Sequence, residues 1–265
     1  MITSRALLID LDGVIYQDEE VVPGAPDALA WIRAHAIPHT FVTNTTSHSR
    51  RGLVEKLARF GVPARAEQIL TPAVVAAEWL RREARDPAAL YVPEATQLDF
   101  AGVPVLAASA ESGAGSVVIG DLGASWTFAA LNRAFRLLMA NPAAVLIALG
   151  TTRYWRAADG LRLDVGPFVA ALEHATGRRA VVLGKPSHQF FETAVSALNC
   201  AAVQTVMVGD DIAADVHGAR DAGMRGVLVR TGKFREADLA GDTHADGLLN
   251  SFADLPAWWC EHGGH

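Results

Sequence analysis

The chain has 265 residues, 51% hydrophobic and 20% charged, enough for one large globular domain or two ordinary ones with a sizeable core. Its formal charge of -6 argues against a general affinity for nucleic acid or an anionic membrane, so an anionic ligand needs locally focused positive charge. The two cysteines, Cys200 and Cys260, have no CxxC spacing and suggest neither a disulfide framework nor a zinc knuckle, and no stretch approaches the ~20 apolar residues of a membrane span, so a soluble protein of the reducing cytoplasm is expected.

In chain order, short apolar runs alternate with amphipathic segments. ALLID (6 to 10) is followed by a predicted helix near 24 to 35, HTFVT (39 to 43) by one near 48 to 60, and a further helix is expected near 72 to 84. Next come ALYV (89 to 92), SVVIGD (116 to 121), a helix near 127 to 140 and AVLIAL (144 to 149). The last part repeats the pattern: VVLG (181 to 184) precedes a helix from His188 to Leu198, VQTVMVGD (203 to 210) precedes one from Ala213 to Ala222, and GVLVR (226 to 230) follows. Continuous apolar runs between helices predict parallel βαβ units with strands buried on both faces. The middle holds more than one crossover needs, so an α/β fold is expected. Its doubly wound, Rossmann-like core spans 1 to 72 and 182 to 265, and an α/β domain spanning 73 to 181 is inserted into it. Trp258 and Trp259 are expected to dock the last helix, the alternative being an oligomer contact, and the HGGH end reads as a tail whose histidines offer an alternative metal site.

Four segments carry residues able to do chemistry. Asp10 and Asp12 leave the first strand two residues apart, so their carboxylates can converge on one side, and Gly13 permits a sharp turn. Such a pair calls for a bound cation or a shared proton; a solvated turn is the plainer reading. Thr43 and Asn44, with Thr45 behind them, can donate hydrogen bonds to phosphate oxygens, or Thr45, Thr46 or Ser47 can cap the next helix. Lys185, between Gly184 and Pro186, suits a phosphate or a crowded carboxylate cluster, against the alternative of a surface loop lysine. Asp210 and Asp211 can ligate a hard cation with Asp215 in support, against plain helix capping. All four segments follow apolar strands, so a parallel sheet would gather them at one edge.

In order, DLDGV (10 to 14), TNT (43 to 45), GKP (184 to 186) and GDDIAAD (209 to 215) resemble the four motifs of haloacid dehalogenase-like hydrolases, with the inserted domain placed as in the superfamily's second class, which has a large α/β cap. FVTNTT (41 to 46), LNRAFRLLM (131 to 139), RYW then DGL (153 to 161), GPFVAALEHAT (166 to 176) and VRTGKFR (229 to 235) are similar to the branch that contains phospholysine phosphohistidine inorganic pyrophosphate phosphatase and the haloacid-dehalogenase-like-domain-containing proteins.

The resemblance implies a Mg2+-dependent phosphatase acting on a small phosphorylated substrate through an aspartyl-phosphate intermediate. Asp10 would be nucleophile and metal ligand, Asp12 general acid and base and a metal ligand through its backbone carbonyl, and Asp210 the third protein ligand. Leu11, Thr43, Asn44 and Lys185 would hold the phosphoryl group, and Asp211 and Asp215 would support the site. The cap would close over it, with substrate contacts near Thr151 to Arg156, though Tyr154 and Trp155 can equally be packing residues. Pairing of two chains through their caps is a further implication. A phosphotransferase or phosphomutase of the same superfamily, and a phosphoryl-accepting regulatory protein, are the alternatives.

Overall fold

Ala6–Asp10 and Thr205–Gly209 are buried along their whole length, because a parallel strand in the middle of an α/β unit is covered on both faces. In the computed structural model, residues 5–157, 159–240 and 245–262 are described; the final Gly-Gly-His of the HGGH stretch lies outside them. Two compact units are present, one comprising residues 1–43, 51–70 and 185–265, the other residues 44–50 and 71–184.

The first unit is built on a six-stranded sheet that runs, edge to edge, Gly247–Leu249, Arg225–Val229, Thr205–Gly209, Ala6–Asp10, His39–Val42 and Ile69–Leu70, with every pairing parallel. Counted along the chain, these strands stand in the order 6-5-4-1-2-3. This is the doubly wound order, and its crevice opens where the winding reverses, between the first and fourth strands at their carboxyl ends. Leu7 pairs with Val206 and Ile9 with Val208, so Asp10 and Asp210 emerge side by side at that crevice.

Residues two apart on these strands share a face. Leu7, Ile9, Phe41, Val206, Val208, Val227 and Val229 accordingly pack together with Leu29 and Ile32 of the helix Ala25–Ala34 and Leu53 and Leu57 of the helix Arg50–Arg59. Trp258 and Trp259 are buried in the same cluster and dock the last helix, Leu255–His262. Phe190, Phe191 and Ala194 are the buried residues of the helix His188–Leu198, which starts where Ser187 Oγ accepts a hydrogen bond from the Phe190 N–H at 3.3 Å. Ser187→Ala leaves that N–H without its partner and is expected to cost about 1 kcal/mol, measured as a lower urea midpoint with an unchanged slope.

The second unit has its own four-stranded parallel sheet, in the order Val181–Val182, Val145–Ala148, Ser116–Ile119 and Ala88–Tyr91. The helices Phe128–Ala140 and Val165–Thr176 supply Ala134, Leu137, Leu138, Val169 and Leu172 to its core. Tyr91, Trp126 and Phe168 stack there, with ring centres 5.7 and 4.4 Å apart. An antiparallel pair, Tyr154–Ala157 with Gly160–Leu163, leaves Tyr154 and Trp155 exposed rather than packed in this core.

One sequence expectation is corrected. The apolar run at 181 to 184 suggests a strand of the doubly wound core, but Val181 and Val182 pair with Ile147 and Ala148 and complete the second sheet. The helix Val165–Thr176 is thus an ordinary crossover between neighbouring parallel strands. An apolar run advertises burial in a sheet, not which sheet it joins.

Candidate active site

Four ionisable side chains meet at the crevice of the first unit. Asp10, Lys185, Asp210 and Asp215 are 6%, 4%, 1% and 1% exposed. The Lys185 ammonium lies 2.6 Å from Asp10 Oδ1 and 2.7 Å from Asp215 Oδ1. One carboxylate oxygen from each of Asp10, Asp210 and Asp215 falls within 4.8 Å of the others.

The sequence makes room for this cluster with glycine. Gly13 and Gly232 have φ of +82° and +64°, in the left-handed region where a side chain is strained, and a β-carbon on either would overlap the Asp210 carboxylate. After Asp10 the chain folds back sharply, the Leu11 carbonyl accepting from the Ile15 N–H at 2.9 Å and the Gly13 N–H donating to the Tyr16 carbonyl at 2.6 Å. Beyond Asp210 the helix opens with six residues of π-type geometry, Ile212–His217, which carry Asp215 back beneath the site. There its Oδ2 accepts the Asp211 N–H at 3.1 Å.

Three buried carboxylates around one buried ammonium leave an excess of negative charge. Burial is the main cause that pushes Asp10 up to about 7, helped by Asp215 and opposed by Lys185. Asp210 is pushed up to about 8 by burial and then by Asp10 and Asp215. Burial works against the charge on Lys185, yet Asp10 and Asp215 hold its pKa above the ordinary lysine value.

Asp210 Oδ2 accepts the Lys233 main-chain N–H at 2.7 Å, whereas its buried Oδ1 has no hydrogen-bond partner among the described residues. An orphaned buried oxygen beside two further carboxylates is the donor set a hard divalent cation takes, all oxygen and more negative than its protein counter-charge. The residues present therefore fit such an ion.

The other predicted site residues fall as follows. Asp12 is exposed at the rim, and its carboxyl is crowded enough for desolvation to raise its pKa, against lowering by Lys56 and Lys233. Its carboxylate is not among the three that converge. The Leu11 side chain is fully buried, so only its main chain can meet a ligand. Thr43 is buried at the end of the strand His39–Val42, its N–H donating to the Leu70 carbonyl at 3.2 Å; Asn44 is the next residue, within the second unit. Asp211 adopts the capping geometry, its Oδ1 accepting from the Ala213 and Ala214 N–H groups at 3.1 and 3.0 Å; against the effect of burial, these N–H groups and the Lys233 ammonium hold its pKa low. Asp215, expected only in support, is one of the three gathered acids.

Sequence reasoning attached no site role to Thr231, Gly232 and Lys233. The signal was present: this turn follows the apolar strand Arg225–Val229, and the rule that strand ends carry ligands applies to it as well.

Comparison with known proteins identifies the family. A family model described as haloacid dehalogenase-like hydrolase matches residues 7–101, and a HAD-hydrolase-like model matches residues 182–255. Haloacid dehalogenase-like hydrolase domain-containing protein 2 of Bos taurus is 41% identical over 88% of this chain and 87% of its own length. Phospholysine phosphohistidine inorganic pyrophosphate phosphatase of Homo sapiens is 37% identical over 97% of this chain and 95% of its own. The p-nitrophenyl phosphatase from Archaeoglobus fulgidus superposes with a TM-score of 0.86 at 27% identity, covering 97% of this chain and 99% of that one. The chain belongs to the haloacid dehalogenase-like hydrolases and is a hydrolase of the phosphatase kind, with a doubly wound core and an inserted α/β unit.

Proposed function

We propose that this chain hydrolyses a small phosphorylated substrate, a phosphate ester, phosphoamide or pyrophosphate, through a phosphoryl group carried transiently on Asp10, with Mg2+ as cofactor. The observation that supports this most is the pairing of a buried carboxylate at the switch point with a buried ammonium 2.6 Å away, beside an Asp210 oxygen that has no hydrogen-bond partner among the described residues. Asp10, Asp210 and the main-chain carbonyl of Asp12 are the proposed Mg2+ ligands, with Asp215 holding Lys185 from behind. When bound, Mg2+ supplies positive charge that offsets repulsion between the carboxylates and the phosphoryl oxygens.

In the first step an Asp10 oxygen forms a bond to phosphorus as the bond to the leaving oxygen or nitrogen breaks, and Asp12 gives that atom a proton. In the second, Asp12 takes a proton from water, whose oxygen attacks phosphorus; the bond to Asp10 breaks and inorganic phosphate leaves. Lys185 and donors from Thr43, Asn44 and the Leu11 main chain stabilise charge on the phosphoryl oxygens. The raised pKa of Asp12 suits a group that must hold a proton in one step and remove one in the next. The second unit is assigned the role of a cap that selects the substrate, and its exposed Tyr154 and Trp155 are candidates for contact. No helix among the described residues is long and apolar enough to cross a membrane, and both cysteines are free, in keeping with a cytoplasmic setting.

Phosphate release from a panel of phosphoesters, phosphoamides and pyrophosphate, with and without Mg2+, tests the reading. Release that is no faster than from the Asp10→Asn variant, or that ignores Mg2+, ends it. Asp12→Asn is expected to slow alkyl phosphates by about 10²- to 10⁴-fold, and p-nitrophenyl phosphate less in the first step, because that leaving group departs without a proton. Single-turnover comparison of the two substrates checks this; equal losses would remove Asp12 from the acid role.

A further inference from the structure

The turn that follows the strand Arg225–Val229 touches both halves of the acidic site. The Lys233 N–H donates to Asp210 Oδ2 at 2.7 Å, and the Thr231 hydroxyl donates to the Gly13 carbonyl in the loop behind Asp10. Gly232 sits between them with φ +64°, so close that a β-carbon there would lie 2.6 Å from the Gly13 α-carbon. The Lys233 ammonium points elsewhere: it is 3.4 Å from Asp211 Oδ2, and the side chain is 63% exposed. A carboxylate with two free oxygens can turn about its last torsion, whereas one tied to a peptide N–H keeps its plane.

We propose that Thr231, Gly232 and Lys233 form a positioning element for Asp210, in which the Lys233 amide occupies Oδ2 and the Thr231 hydroxyl latches the turn to the Asp10 loop, so that Oδ1 alone faces the cation. This rests on the divalent-cation reading given above. The lysine ammonium takes no part in the hold. It is a positive charge near the cation, so its removal leaves Mg2+ binding unchanged or tighter.

Calorimetric titration of Mg2+ into the full-length, metal-free protein tests this without reference to turnover, with the Mg2+-induced rise in Tm as a second readout. Thr231→Val is expected to weaken Mg2+ binding about tenfold or more, Thr231→Ser to restore it, and Lys233→Met to bind at least as well as the parent. A purely structural role for Thr231 would lower the metal-free Tm and leave Mg2+ affinity alone. Folded Thr231→Val with the parent's affinity therefore overturns the proposal. Should Thr231→Val not fold, Lys233→Met decides: a tenfold loss assigns the hold to the ammonium and overturns the proposal, while unchanged or tighter binding supports it. Absence of any Mg2+ effect on the parent removes the metal reading and this inference together, which separates that failure from a failure of the latch alone.

Discussion

Asp10→Asn is expected to lower phosphate release by at least about 10³-fold while the protein stays folded. The activity loss follows because an amide oxygen is a poor nucleophile and its phosphorylated product has no equivalent of the carboxylate leaving group. Survival of the fold follows from the charge balance. Asp10 is one of three buried carboxylates close to one another, two of which pair with Lys185, and burial already pushes its pKa up to about 7. Asparagine keeps the size and the oxygen that accepts from Lys185, removes one charge from a crowded cluster, and leaves Lys185 its second partner, Asp215, at 2.7 Å. Circular dichroism and the metal-free Tm should match the parent closely. Parent-like phosphate release from pure Asp10→Asn would remove Asp10 as nucleophile; loss of release together with collapse of the fold would show that its part is structural.

The metal-free protein is expected to lose stability as the pH rises from about 4 to about 8, and saturating Mg2+ to remove most of that loss. Burial pushes Asp10 up to about 7 and Asp210 up to about 8, from an ordinary 3.8. A group raised in the folded state contributes stability that is fully present below its unfolded pKa and is lost as the pH climbs through the folded value, since the folded chain retains protons that the unfolded chain has released. The loss is on the order of a few kcal/mol, and for a chain of this size each kcal/mol is worth roughly 2–4 °C in Tm. Bound Mg2+ favours the ionised carboxylates and so flattens the curve. Thermal unfolding across this range in chelator and in Mg2+, with Asp210→Asn as the comparison, reads the effect directly. The variant lacks the group raised furthest of these two and should show a shallower metal-free slope; the same slope in parent and variant would mean that the acidic cluster does not set it.

Much of the site was legible because strand ends announce themselves. Asp10 and Asp210 both close continuous apolar runs, and in a parallel sheet such ends share one edge. Lys185 was expected at that edge for the wrong reason. It follows a strand of the second sheet, and the chain returns from there to bring the ammonium beside Asp10. Helix geometry decides where the two remaining acids lie: the first π-type turn puts the Asp211 carboxylate over the Ala213 and Ala214 N–H groups and turns Asp215 inward, against Lys185. A peptide N–H from Lys233 leaves no mark in residue identity, since every residue except proline carries one.

Residue order and type by themselves determined the alternation of strand and helix, the kinds of chemical group available and the ends on which they ride, because apolar periodicity and turn residues act over a few neighbouring positions. Which sheet Val181 and Val182 join, which carboxylates converge on Lys185, and which oxygen of Asp210 stays bare were decided only by the tertiary structure. Those outcomes depend on contacts between residues far apart in the chain, such as Lys185 with Asp10, 175 positions away, and on the cost of burying charge, which has no value until the surroundings of each group are complete.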